Sequence, residues 1–375
     1  MAQQEEPDRI RSLDEIDVIV DTDAHVTEGI DDLLAYMDDD YEGIRRIIED
    51  AAYPSHDIYS VAHPMPAFIH TDAFGDVYGD RPTGTVEEKR SHMEEFGLDY
   101  SILGPTLNLA LATVNNDNAA VALANAYNSW ILDQFVDAEP NIYTPVIVPP
   151  QAPEKAAEEI DDRADEDGVV GVMIPSTGLV PPAGHRLYDP IYEAAEDNGL
   201  PVLFHSGSGA TADMFPVMRK WAETYAEDHA MVHPFTAMWN LTTMLFRGVP
   251  VRYPDLDFVF QEAGIGWIPY TLWRLDDHYL EISDEIPALE QLPSEYVHEQ
   301  FYFSTQPLGH TARNPEHLAM AIEMAGPDNL MYSSDLPHPD FDPPRELFDR
   351  INGQFDRETV AGVMGETAIE LFELS

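Results

Sequence analysis

The sequence contains no cysteine, and among its 375 residues there are only three lysines, Lys89, Lys155 and Lys220. Without thiols there is no disulfide framework, no thiolate metal site and no cysteine nucleophile. Lysine and arginine together number 19 against 70 aspartates and glutamates, giving a formal net charge of −51 and a pI near 4.2. With so little positive charge to neutralise phosphates, nucleic acid and anionic membrane surfaces are not expected as partners. No apolar run approaches the roughly 20 residues of a membrane-spanning helix. Met1 to Asp14 is polar and acidic, without the basic start and apolar stretch of a secretory signal, so a cytoplasmic location is expected.

What is present is an ordered, core-forming pattern. Hydrophobic residues make up 44% of the chain and recur throughout it, which argues against disorder despite the charge. The acid is spread out, Asp38-Asp39-Asp40 being the nearest thing to a run, so it does not read as a cation buffer. It reads as a surface adapted to molar salt, where self-repulsion is screened, as in the cytoplasm of a halophilic organism.

Eight short apolar runs have the character of buried parallel strands: Asp17–Asp21, Tyr100–Gly104, Tyr143–Val148, Val169–Ile174, Pro201–His205, Asp257–Gln261, Phe301–Ser304 and Leu330–Ser333. Helical periodicity lies between them, over Val86–Phe96, Asn115–Phe135, Pro153–Glu166, Leu187–Asn198, Thr236–Arg247 and His310–Ala325, with Arg357–Glu373 closing the chain. Gly199, Gly248 and Gly326 stand where helix-ending glycines belong. Eight strands alternating with helices predict a distorted (β/α)8 TIM barrel rather than an open sheet with two edges. We expect one domain over residues 1–375, with a polar tail at 1–15 and an insertion at 28–85 that forms a lid. That insertion carries His56, His63 and His70. A second long connection, Ser206 to Pro254, carries His229 and His233, and all five histidines read as loop-surface residues.

In a barrel the chemistry collects at the C-terminal ends of the strands. Asp23 and His25 follow the first run, two residues apart, so an extended backbone points both to one side, where they could hold one face of a divalent cation. His205 ends the fifth run, Glu262 follows the sixth, Thr305 and Gln306 the seventh, and Asp335 the eighth, whereas the second to fourth end in Pro-containing turns without titratable groups. Glu262 can be read either as part of this site or as a carboxylate held by the amides of Ala263–Gly266. His338 reads as an outer or surface residue.

The order Asp-x-His, strand-ending His205, Glu262-Ala263-Gly264 and Ser334-Asp335-Leu336-Pro337-His338 resembles the amidohydrolase superfamily. More narrowly it resembles the amidohydrolase-related (family 2) branch that includes aminocarboxymuconate semialdehyde decarboxylase and resorcylate-type decarboxylases. The resemblance runs from about Asp17 to the C-terminus, where Val363-Met364-Gly365-Glu366-Thr367-Ala368 stands at the family's Gly-x-Asn-Ala turn. It implies a barrel with one divalent metal at its mouth, bound by Asp23, His25, His205 and Asp335. Two positions depart from the pattern. The first pair is Asp-x-His rather than the His-x-His of typical amidohydrolases, and Glu262 occupies a position often held by histidine in decarboxylases.

From these residues the expected activity is metal-dependent hydrolysis of a small carbonyl compound. A metal-bound water would be activated, with Asp335 as acid/base, Glu262 orienting it or adding a ligand, and His205 both ligand and catalytic residue. The alternative is non-oxidative decarboxylation of an aromatic or enolic carboxylic acid at the same site, with Arg81, Arg219, Arg247 or Arg274 as candidate partners for the substrate. Mixed nitrogen and oxygen ligands suit Zn, Mn or Fe(II), with Zn slightly favoured. Trp221, Trp239, Trp267 and Trp273 near the mouth suggest an aromatic ring in a small-molecule substrate, and a homodimer is the default assembly.

Overall fold

The computed structural model describes residues 10–50, 83–176, 178–206, 223–309, 314–338 and 340–375. Eight strands, β1 (Val20–Val26), β2 (Tyr100–Pro105), β3 (Ile142–Ile147), β4 (Val169–Pro175), β5 (Val202–His205), β6 (Phe258–Gln261), β7 (Phe301–Ser304) and β8 (Leu330–Met331), pair in parallel in chain order. Backbone bonds from Thr22 N to the Tyr332 carbonyl (3.1 Å) and from Asp335 N to the Asp23 carbonyl (2.8 Å) bring the last strand back against the first. The result is the expected (β/α)8 barrel.

Strand alternation fixes what faces the barrel axis. Val202, Phe204, Phe258, Phe260, Phe301 and Phe303 pack outward into the main core under the helices. Val20, Ile102, Met173, Leu203, Val259 and Met331 fill the interior, which Ala368, Phe372 and Leu374 close from the C-terminal segment. With Leu203 and Val259 inside, the next inward positions on β5 and β6 are His205 and Gln261. The outward phenylalanines stack across strands, with Phe204–Phe260 centroids 5.3 Å and Phe258–Phe301 centroids 5.0 Å apart, each such pair adding about 0.5–1.5 kcal/mol beyond area burial.

The helices are α1 (Ile30–Tyr36), α2 (Glu42–Asp50), α3 (Val86–Phe96), α4 (Asp117–Ile131), α5 (Pro153–Arg163), α6 (Asp189–Asp197), α7 (Tyr225–Phe246), α8 (Val249–Arg252), α9 (Trp267–Ile282), α10 (Pro293–Gln300), α11 (Pro315–Ala325), α12 (Pro344–Ile351), α13 (Arg357–Ala361) and α14 (Thr367–Leu371). Two boundaries differ from expectation in ways that matter. β1 runs through Asp23 and His25 instead of stopping at Asp21, and its polar Thr22 and Asp21 are satisfied inside the fold: Thr22 Oγ1 donates to the Tyr332 carbonyl, and Asp21 accepts from Ser334. α7 starts at Tyr225 rather than Thr236. A capping box between Thr224 and Glu227 starts it, and Pro234 lies inside it without ending it. His229 and His233 are therefore helical, not in a loop.

The expected insertion opens with α1 and α2, and its residues 51–82, including His56, His63, His70 and Arg81, lie outside the described residues, as do Arg219 and Trp221. Among the described residues no helix is long and apolar enough to cross a membrane.

Candidate metal centre

Asp23 and His25 project inward from β1, and the bond made by His25 sets its tautomer. His25 Nδ1 lies 2.8 Å from the Pro105 carbonyl, which can only accept, so Nδ1 carries the hydrogen. Nε2 then turns its lone pair toward Asp23 Oδ1 at 3.5 Å and Asp335 Oδ1 at 3.4 Å. Burial first, then His338 and His205, push the His25 pKa well below the usual imidazole range, so it is neutral, as a metal ligand must be. His205 Nε2 stands 3.2 Å from the same oxygen of Asp23. Neighbouring donors 3.2–3.5 Å apart match the spacing around a cation whose bonds are about 2.1 Å long.

Whether a cation fits can be tested on the atoms themselves. Asp23 Oδ2, His25 Nε2 and His205 Nε2 are buried and have no hydrogen-bond partner among the described residues. Buried polar atoms are ordinarily paired, and three of them converging with Asp335 is what a divalent cation would resolve. Asp23, His25 and His205 each bring one donor atom within 4.8 Å of the others and could hold such an ion, while Asp335 adjoins the set through His25.

Asp335 is the most constrained of the four. It has a left-handed backbone, φ 59°, rare outside glycine, as does Glu262 at φ 51°. Its Oδ1 lies 2.6 Å from His338 Nδ1, and its Oδ2 accepts from Gln306 Nε2 at 3.0 Å. Burial raises the Asp335 pKa, opposed mainly by His338, and Asp335 in turn raises that of His338 against its own burial. His338 Nε2 continues to Thr106 Oγ1 at 3.2 Å. The amide of Thr106 is held by Glu28, whose pKa is raised to about 7 by burial.

Several of these partners have no sequence signature. Gln261 Nε2 donates to the Thr22 carbonyl and, at 3.2 Å, to Asp23 Oδ1. It and Gln306 orient the carboxylates, but neutral amides carry no titratable signal. His338, read as an outer or surface residue, is the former: it bonds Asp335, and its ring lies 4.2 Å from that of His25. Of the two readings of Glu262, the geometry favours the one at the site: its carboxylate faces His205 Nε2 at 3.7 Å and His233 Nδ1 at 3.5 Å. Burial and the carboxylates of Asp335, Asp23 and Asp340 raise its pKa well above the usual range. Arg274 pairs with Asp277 at an exposed position on α9, and Arg247 caps the far end of α7. Trp239 and Trp273 are exposed, and Trp267 is buried against Gly264.

The fold and this donor set define a barrel with a divalent-metal site at the C-terminal ends of its strands. The sequence profile of the amidohydrolase family (Amidohydro_2) matches residues 20–374, and the chain belongs to that family. It is 23% identical over 291 residues to a gamma-resorcylate decarboxylase of Polaromonas sp. (strain JS666 / ATCC BAA-500), covering 73% of this chain and 84% of that one. In structure it is similar to 5-carboxyvanillate decarboxylase from Sphingomonas paucimobilis, with a TM-score of 0.71 at 22% identity over 96% of this chain and 99% of that one. It is also similar to the dihydroxybenzoic acid decarboxylase of Polaromonas sp. JS666 with bound manganese and the inhibitor 2-nitroresorcinol, with a TM-score of 0.67 at 19% identity, covering 95% and 97%. These relatives are decarboxylases, which corrects the expectation that hydrolysis is the primary activity. The ligand set could not discriminate, since one divalent site serves both reactions.

Proposed function

We propose that this protein is a metal-dependent, non-oxidative decarboxylase of a hydroxylated aromatic carboxylic acid. The observation that carries the reading is the Asp335–His338 pair, a buried carboxyl 2.6 Å from an imidazole at the metal-type centre. Decarboxylation of an aromatic acid needs a proton placed on the ring, and this pair can hold one there. Substrate classes named for the relatives, resorcylate, carboxyvanillate and dihydroxybenzoate, support a ring bearing both carboxylate and hydroxyl. An apolar cavity of about 430 Å³, walled by Ile265, Trp267, Leu308 and Phe235, lies beside the segments that follow Glu262 and Gln306 and supports an apolar face for the substrate.

Asp23, His25, His205 and Asp335 would hold the cation. When bound, it supplies Lewis-acid charge for the substrate's carboxylate and adjacent hydroxyl. Manganese in the Polaromonas relative supports Mn²⁺ over the Zn²⁺ first favoured. Asp335 delivers its proton to the ring carbon bearing the carboxylate. The bond from that carbon to the carboxylate carbon then breaks, its electron pair restores the aromatic ring, and CO2 leaves. One proton is consumed per turnover, and His338, mostly buried between Asp335 and Thr106, passes its replacement inward.

The test is release of CO2 from a panel of ortho-hydroxylated benzoates by Mn²⁺-loaded enzyme in D2O. Deuterium should appear at the vacated ring position. Absence of CO2 from every member of the panel would overturn the assignment.

A further inference from the structure

Beside the centre already described lies a second set of donors that no step above uses. His229 and His233 are one turn apart on α7, in the run His229-Ala230-Met231-Val232-His233, with ring centroids 5.0 Å apart. Two histidines four apart on one helical face are the arrangement by which a helix offers two imidazoles to one cation. Glu262 from the end of β6 completes the set, and one donor atom from each of the three lies within 4.8 Å of the others.

We infer that His229, His233 and Glu262 form a second divalent-cation site next to the first. Three observations carry this. First, His233 is buried, and although its Nδ1 lies 3.0 Å from Ser206 Oγ, its Nε2 has no hydrogen-bond partner among the described residues, where buried polar atoms are ordinarily paired. Second, Glu262 is held in a left-handed conformation with its Oε2 between His205 Nε2 and His233 Nδ1, so its carboxylate faces both sites. Third, Asp340 adds a further carboxylate beside the set, its Oδ2 lying 3.6 Å from His229 Nδ1.

The chemistry of the donors selects the ion. Two imidazoles and one carboxylate, with no sulfur, take a first-row divalent transition cation such as Mn²⁺, Fe²⁺ or Zn²⁺, while Mg²⁺ and Ca²⁺ prefer all-oxygen sites. His229 and Asp340 are partly exposed, with side chains 15% and 33% accessible, and give the ion a route from solvent. This site stands independently of the reaction assigned above.

The experiment counts tightly held metal. Metal-free protein is saturated with Mn²⁺, desalted to strip the weakly held ions that an acidic surface collects, and analysed for Mn per chain. The wild type should retain two equivalents. His229→Ala and His233→Ala should each retain one, and so should His25→Ala, which disables the first site and leaves the second. His229 is the safer variant because it lies at the rim, and circular dichroism checks that each variant is folded. One equivalent in the wild type, or two in folded His229→Ala, would overturn the inference.

Discussion

His338 Nδ1 stands 2.6 Å from Asp335 Oδ1, and the two groups move each other's proton affinity in opposite directions. Burial raises the Asp335 pKa and His338 pulls it back down, while Asp335 raises that of His338. The proposed reaction needs a proton on this pair, so turnover should fall as pH rises through the pair's apparent pKa. In His338→Gln the influence that lowers Asp335 is gone, its pKa rises, and the alkaline limb of kcat should move to higher pH. The loss of the relay should itself reduce kcat by roughly 10²–10⁴-fold, the usual worth of general acid catalysis. An unchanged pH profile with unchanged kcat would remove His338 from the mechanism.

His205→Ala should abolish turnover and lower metal retention while leaving the barrel folded. His205 closes β5 with both ring nitrogens buried and unpartnered among the described residues, so little structural bonding is lost with it. Chelation of the wild type should likewise stop CO2 release, and Mn²⁺ should restore it. Measured turnover in rigorously metal-free protein would contradict the assignment of Asp23, His25, His205 and Asp335 as ligands.

The parts of this site legible in the sequence were those set by strand periodicity. The first, fifth and eighth β-runs are followed by titratable residues, so periodicity puts Asp23, His25, His205 and Asp335 at the barrel mouth, and the family resemblance singles them out as ligand candidates. What periodicity does not encode was missed. The N-terminal turns of α7 carry no apolar stripe and contain Pro234, so His229 and His233 read as loop residues although a Thr224–Glu227 capping box begins the helix before them. Gln261 and Gln306 act through neutral amide hydrogens, and His338 acts only through a contact created by the left-handed turn at Asp335. The reaction was the least legible part. Hydrolysis and decarboxylation can both draw on one divalent-metal site and differ in what the acid protonates, a matter of substrate placement rather than residue type.

The charge of −51 bears on stability more than on fold. At about 0.1 M salt, charges repel across roughly 10 Å, and at 1 M across only about 3 Å. Several described basic residues already sit in pairs, such as Arg90–Glu139 and Arg163–Glu159, leaving many acids to repel one another. We therefore propose that the protein needs molar salt. Far-UV circular dichroism should show unfolding as KCl is lowered from molar concentration, with recovery when it is restored. A melting temperature independent of KCl would count against salt adaptation.

Lys89 gives a prediction that separates from catalysis. It lies on α3, fully buried, with no hydrogen-bond partner for its Nζ among the described residues and Asp21 as its nearby opposite charge. Burial lowers its pKa to about 8, only partly offset by Asp21. In the unfolded chain lysine holds its proton to about 10.4. Between pH 8 and 10 the unfolded state therefore binds more protons than the folded one, and stability must rise with pH, by up to ~1.4 kcal/mol per pH unit. Above pH 10 the buried tyrosines Tyr127, Tyr192 and Tyr332, whose pKa values are raised by burial, reverse the trend, because the unfolded state then loses protons first. Urea unfolding of wild type and of Lys89→Met at pH 7, 8, 9 and 10, at constant molar KCl, measures this directly. The wild-type midpoint should climb over the window and that of Lys89→Met should stay level. At pH 7 the variant pits relief of a buried ammonium against the loss of Asp21's counter-charge, so the slope rather than the absolute stability carries the test. A flat wild-type profile would mean that Lys89 keeps its proton in the fold.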